Sequence, residues 1–351
     1  MIGLRSAMAH PNRLCYRSES SALRSLALGL ALTAFLAFLA AAVATRLSIP
    51  WLARAGESDR TMHSGFVPQG GGAALLASAF ATAALTGAVN AAFMLAVIAL
   101  AALSWRNDHA HISANVRLAC HLTVATAYVS TLPDEARVLQ GLFPFAVDRM
   151  ATVLALSWMM NLFNFMDGIN GLAGAETIAI AAGYLLLAGA PSDHATLAAA
   201  LAGASGGFLV WNLRGKALVF LGDVGSVPLG FITGALMIDL ALRGFWAAAL
   251  ILPAYFVADA TLTLLTRLLR GESASIPHRA HFYQRAAQGL GSHLSVVARV
   301  AVANALLIVL ATWSIYAPWL ALAGAVAVVG GLLFELSRVA VAPIRSSDSD
   351  P

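Results

Sequence analysis

Charge is what this chain has least of. Among its 351 residues only 11% are Asp, Glu, Lys or Arg, against 60% hydrophobic, and that balance excludes a water-soluble globular fold. Lysine occurs once, as Lys216. The two cysteines, Cys15 and Cys120, cannot build a metal cluster, and their places in the N-terminal tail and in an apolar run argue against a structural disulfide. The net charge of +4 is spread over loops rather than gathered into a nucleic-acid footprint. No repeat of fixed period is visible, and the one low-complexity piece is the terminal SSDSDP.

What the chain does have is long apolar runs. A crossing of the bilayer needs roughly 20 apolar residues, and about eleven stretches approach that length: 25–45, 72–88, 91–105, 117–132, 149–163, 172–190, 195–211, 225–241, 244–266, 296–315 and 318–337. They lack the alternation of a barrel wall. The expected fold is therefore all-α, a polytopic membrane helix bundle of 10 or 11 spans over residues 25–340. Residues 1–24 and 341–351 read as disordered tails. A cleaved signal peptide fits poorly, because the first run is too long and Arg46 follows it. With eleven spans, the loops after odd-numbered spans and the C-terminus hold fourteen Arg and Lys, and the other side holds seven. The richer side is expected to be cytoplasmic, although Arg5, Arg13, Arg17 and Arg24 of the tail run against that rule. Met8 is one later candidate start.

The unusual polar residues fall in the loops of that richer side. In NLFNFMDGINGLAG (161–174), Asn161, Asn164 and Asp167 lie within about 120° of one another on a helix, so all three can face one cavity. Asn170 falls outside that arc, and Gly168 and Gly171 predict that the helix ends there. Simple helix-end capping is the plain alternative; four such groups at a membrane edge favour function. In FLGDVGS, Asp223 is either a helix N-cap or a ligand for a hard cation that takes few oxygens from protein, as Mg²⁺ does; the Asn164 amide oxygen would complement it. In PHRAHFYQR, His278, Arg279 and His281 suit an anion such as a diphosphate better than zinc, which would want more ligands nearby. A solvated basic loop is the bland reading. The glycines of VPQGGG, Gly70 and Gly71 among them, can offer backbone N–H groups to a phosphate or can serve close helix packing. NDHAHISANVRL carries Asp108 beside Asn107, His109 and His111.

Taken together, these blocks resemble the polyprenyl-phosphate N-acetylhexosamine-1-phosphate transferases, the membrane family that includes phospho-MurNAc-pentapeptide translocase and the O-antigen-initiating enzymes. NLFNFMDGINGLAG is similar to the family's Asn-x-x-Asn-x-x-Asp-Gly block, VFLGDVGSVPLGF to its Phe-x-Gly-Asp-x-Gly-Ser block, and PHRAHFYQR to the form of the O-antigen branch. RTMHSGFVPQGGG and WRNDHAHISANVRL correspond to its remaining two blocks. The departures are Asn107 for the first Asp of a pair, Gln69 for an Arg, Val67 for a Thr and Asn170 for a frequent second Asp.

The resemblance implies transfer of a HexNAc-1-phosphate from a UDP-sugar (GlcNAc, QuiNAc or FucNAc) to undecaprenyl phosphate in the bacterial inner membrane. It implies Mg²⁺, with Mn²⁺ as a substitute, held by Asp223 and Asn164. On the same basis Asp167 orients metal waters or a substrate hydroxyl, and Asp108 positions the lipid phosphate. Arg279 and His281, supported by His278, clamp the diphosphate. Phe220 stacks on uracil, with Asn161 and Asn212 as nucleotide contacts. Lys216 is either a phosphate contact or a plain loop charge, and a homodimer stays open. Two other readings stand beside this one. A secondary transporter would place its polar groups near the bilayer midplane, commonly in repeated halves. A non-catalytic relative would serve as an assembly partner, a reading motivated by Asn107 and Gln69.

Overall fold

The computed structural model describes residues 12–55, 67–87, 90–110, 112–189, 192–214, 216–273 and 278–340. Of these, the side chains of 12–24 and 54–55 are not described. Thirteen α-helices occur among the described residues: α1 (Asn12–Ser48), α2 (Gly72–Ala84), α3 (Ala91–His109), α4 (Ala114–Ser130), α5 (Phe145–Phe165), α6 (Leu172–Ala188), α7 (Asp193–Asn212), α8 (Asp223–Leu242), α9 (Trp246–Ile251), α10 (Ala254–Leu269), α11 (Phe282–Leu290), α12 (His293–Trp313) and α13 (Pro318–Arg338). The protein is a polytopic helical bundle. Its only strands among these residues are two short ones, β1 (Arg54–Ala55) and β2 (Val67–Pro68), paired antiparallel.

Each expected apolar run falls on a helix, and the ninth falls on two. Pro253, which has no N–H to continue a helix, divides that run into α9 and α10. The second and third runs are separate helices because Asn90 caps α3, its Oδ1 accepting from Ala92 N at 2.8 Å and Phe93 N at 3.3 Å. Among the described residues six helical segments are individually long and apolar enough to cross a membrane: Ser25–Trp51, which runs from α1 into the turn after it, and α3, α7, α8, α12 and α13. The others are shorter or carry polar groups, as α5 does with Asp148, Arg149, Asn161 and Asn164.

Two boundaries differ from expectation. Helix α1 starts at Asn12 rather than near residue 25, and the reason is local: NRLCYRSESSALRS contains neither Gly nor Pro and ends in good helix formers. Residues 1–11 and 341–351, read as tails, lie outside the described residues, as do Arg60, His63, His111 and residues 274–277. Helix α11 was not expected. Tyr283, Gln284, Ala286 and Ala287 form its buried face, the three-to-four residue spacing of an amphipathic helix, and Gly291 ends it in the left-handed region.

Helix α8 lies at the centre. Its span is 94% buried inside the protein, against 17% for α1. Small residues let it lie this deep: a Cβ on Gly230 would sit 2.4 Å from the Met159 carbonyl oxygen of α5, and one on Gly72 would sit 2.3 Å from the Gly225 Cα. The starts of α2 and α8 therefore cross backbone against backbone, and the end of α5 is drawn beside the start of α8.

We expect Gly72→Ala to lower stability by about 1–3 kcal/mol, the usual range for overpacking a tight contact, read as a lower thermal midpoint in detergent. Gly330→Ala, on the outward face of α13 where a Cβ meets nothing within 4 Å, is the control that should melt like the parent. Equal melting of the two variants would contradict the crossing.

Candidate active site

Asp223, the first residue of α8, is the hub. Its Oδ1 accepts from Asn164 Nδ2 at 2.6 Å, and its Oδ2 accepts from Asn107 Nδ2 at 2.7 Å. Arg117 of α4 stands 3.5 Å from the same Oδ2. Asn164 also donates to Ser226 Oγ, one turn into α8, at 3.2 Å. Four helices thus meet at one carboxylate: α3, α4, α5 and α8.

Asp108 has a different place from the one the sequence suggested. Its Oδ1 accepts from Asp223 N at 3.2 Å and from Gln69 Nε2 at 2.9 Å, while Oδ2 accepts from Val224 N at 3.2 Å. Reaching across from α3, it caps the N-terminus of α8, where a carboxylate meets both free N–H groups and the positive end of the helix dipole. Gly222 makes room, since with φ of 76° it adopts a conformation side chains rarely take, and a Cβ there would sit 2.9 Å from Asp108 Oδ2. Positioning the lipid phosphate is not what this geometry favours, because three N–H donors already engage the carboxylate.

The opening of α6 is pinned from α7. Asn212 Oδ1 accepts from Gly171 N at 2.6 Å and its Nδ2 donates to Val219 O at 2.9 Å. Both ends of this buried amide are engaged by backbone, so it ties the Asp-Gly turn to the segment before α8 instead of offering itself to a nucleotide. Asn161 bonds Ser157 O in its own helix at 2.7 Å and shares a hydrogen bond with His121 of α4. Asn170 points elsewhere, its backbone N–H donating to His293 Nδ1 at 3.3 Å. Asp167 lies in the turn between α5 and α6. Its side chain is half-buried, and desolvation first, then the Asp223 and Asp108 carboxylates, raise its carboxyl well above the ordinary range.

The basic cluster is held by a residue that the sequence reading passed over. Asp259, fully buried in α10, accepts from Phe282 N and Tyr283 N at 3.2 Å each and meets His281 Nδ1 at 3.1 Å. It caps α11 and orients the His281 ring. His278 stacks on His281 with ring centroids 5.1 Å apart, and Arg279 is half-buried between them in sequence. Tyr283 donates to Phe165 O at 2.8 Å, which docks this cluster against the end of α5, one residue beyond Asn164. An ionisable residue inside an apolar run is the signal that would have revealed Asp259. His121 carries the same mark inside the 117–132 run, whereas Arg117 stands in the first turn of α4 and Gln69 in the segment before α2.

The glycine run needs correction. Gly70 N and Gly71 N both donate to Phe220 O, at 3.1 and 2.9 Å, and Gly72 N donates to Leu221 O at 2.9 Å. These N–H groups are therefore not available to a phosphate. A Cβ on Gly71 would sit 2.8 Å from both Phe208 and Val219, so close packing is what the run serves. The same contacts fix Phe220, whose N–H donates to Pro68 O at 2.7 Å and whose side chain stays half-buried at the site. Lys216 is exposed.

Among the described residues no three His, Cys, Asp or Glu side chains converge as a metal cluster. The oxygen-rich set of Asp223 with adjacent Asn164 fits a hard cation that completes its shell with water and phosphate. The two ends of an Asn amide are nearly the same size, so Asn164 can turn its oxygen to such an ion without moving its backbone.

The pattern has counterparts. The model of the family described as Glycosyl transferase family 4 matches residues 90–241, the segment that carries Asn107, Asp108, Arg117, Asn164, Asp167 and Asp223. Over that segment the chain is similar to glycosyl transferase family 4. It is 27% identical over 265 residues to a probable undecaprenyl-phosphate N-acetylglucosaminyl 1-phosphate transferase of Bacillus subtilis, covering 68% of this chain and 71% of that protein. It is 29% identical over 266 residues to the phospho-N-acetylmuramoyl-pentapeptide-transferase of Mycobacterium avium, covering 70% and 68%. The Mycobacterium tuberculosis counterpart is 30% identical over 229 residues, 60% of this chain and 62% of that protein.

Asp259→Asn should free the start of α11. Amide hydrogen exchange at residues 281–284 is expected to rise by about tenfold or more, in line with the 1–3 kcal/mol at stake when a buried hydrogen-bonding partner is lost. Unchanged protection would mean that Asp259 does not anchor the helix.

Proposed function

We propose that the protein transfers a HexNAc-1-phosphate from a UDP-HexNAc to undecaprenyl phosphate, releasing UMP, as the first membrane step in building a cell-envelope polysaccharide such as O-antigen. The observation that carries this reading is the 2.6 Å contact between Asn164 and Asp223, which joins the Asn-x-x-Asn-x-x-Asp-Gly and Gly-Asp-x-Gly-Ser blocks. The named activities of the relatives support it. The protein acts in the bacterial cytoplasmic membrane. The Arg-rich loops that bear the site face the cytoplasm, where the nucleotide sugar is found.

The nucleophile is a phosphate oxygen, already anionic at neutral pH, so the task is neutralisation and in-line placement more than deprotonation. Asp223 and Asn164 would hold Mg²⁺, and bound there it would supply Lewis-acid stabilisation of charge on the diphosphate. Arg117 neutralises part of the Asp223 charge and keeps that side chain oriented. His281, aimed by Asp259, lines the phosphate side with His278 and Arg279. Asp167, in the turn after Asn164, would orient metal waters or a substrate hydroxyl. Phe220 offers a face for uracil. Asp108 and Asn212 act on the frame: one caps α8, the other pins the Asp-Gly turn. The candidate donors UDP-GlcNAc, UDP-QuiNAc and UDP-FucNAc differ by one hydroxyl or its configuration.

The test is purified protein with undecaprenyl phosphate, Mg²⁺ and that panel of donors, followed by UMP release and lipid-linked product. We expect turnover with at least one donor, and its fall by about a hundredfold or more in Asp223→Ala, matching the several kcal/mol a Lewis acid supplies. No product from any donor, or full activity in Asp223→Ala, would refute the reading.

A further inference from the structure

Two neutral amides hold the two carboxylates at the head of α8. Asn107 Nδ2 donates to Asp223 Oδ2 at 2.7 Å, and Gln69 Nε2 donates to Asp108 Oδ1 at 2.9 Å. The orientation of Asn107 is fixed from behind, because Ile112 N donates to its Oδ1 at 3.1 Å. Turning that oxygen toward a cation would strand the Ile112 N–H, so Asn107 meets Asp223 as a donor and not as a second ligand.

Asp108 is likewise withdrawn. With Gln69 and the N–H groups of Asp223 and Val224 around it, its two oxygens are engaged at the helix terminus. What faces a cation is then a single carboxylate, Asp223, with two amide donors on it and the Arg117 guanidinium 3.5 Å away. A divalent ion gains little from one partly neutralised carboxylate, and gains much more when a diphosphate adds its own oxygens.

Resting on the function proposed above, we propose that Asn107 and Gln69 are positioning residues that form a neutral clamp, and that the clamp makes cation uptake depend on the diphosphate of the donor nucleotide. The ion enters with the nucleotide sugar and leaves with the nucleotide product. A carboxylate at position 107 would pair with Asp223 into a two-carboxylate site that takes the ion unaided.

The experiment is a Mn²⁺ titration of the whole protein in detergent, read by loss of the free-ion electron paramagnetic resonance signal, with no nucleotide, with UMP and with UDP. The parent protein should bind Mn²⁺ about tenfold or more tightly with UDP than with UMP or without nucleotide. Asn107→Asp should bind Mn²⁺ without nucleotide about tenfold or more tightly than the parent. Should Asn107→Asp not fold, Gln69→Glu, which sets a carboxylate beside Asp108, carries the same expectation. Equally tight binding by the parent with and without UDP would overturn the proposal, as would a folded Asn107→Asp that gains nothing. A parent that takes up no Mn²⁺ even with UDP would overturn the proposed function and the clamp with it, whereas equally tight binding with and without UDP overturns the clamp alone.

Discussion

The site depends on how closely α8 can approach its neighbours. Gly72 and Gly225 let the starts of α2 and α8 cross at backbone contact, and Gly230 lets α5 lie against α8. Nothing larger fits at these points. Every polar contact at the head of α8 follows from them, since the Asn164 and Asn107 amides reach Asp223 only because their helices lie at that distance. A membrane interior supplies no hydrophobic drive between helices, so this closeness must come from packing and hydrogen bonds.

A second constraint is that buried helix ends must be satisfied. The protein meets it with carboxylates borrowed from other helices: Asp108 of α3 caps α8, and Asp259 of α10 caps α11. The borrowed caps fasten loops together while closing helix ends. In consequence the basic cluster at His281 and the acidic hub at Asp223 are set by the same kind of bond, and both sit against the last turn of α5.

The sequence was most legible where a polar residue stood out against apolar surroundings. The eleven runs marked the helices, and Asp223, Asn164 and the His-Arg-Ala-His cluster fell at one end of the bundle as their spacing implied. What spacing could not tell was which partner each group would choose. The family resemblance implied substrate contacts for Asp108 and Asn212, but backbone N–H and C=O groups engage them. Gly70 and Gly71 read as phosphate ligands, yet their N–H groups join the Phe220 carbonyl. Asp259 carried that mark inside an apolar run, but its partners, the N–H groups of Phe282 and Tyr283, lie beyond the next loop. Such outcomes are decided by long-range backbone partners, and one sequence does not encode them as a motif.

The central claim is that Asp223 is the one carboxylate that meets the cation, with Asn164 beside it. An anomalous difference map from crystals grown with Mn²⁺ and UDP tests it most directly. The account predicts a peak about 2.1 Å from an Asp223 carboxylate oxygen, the distance of a hard cation from its ligand. A peak on Asp108 or Asp167 with none at Asp223 would contradict it.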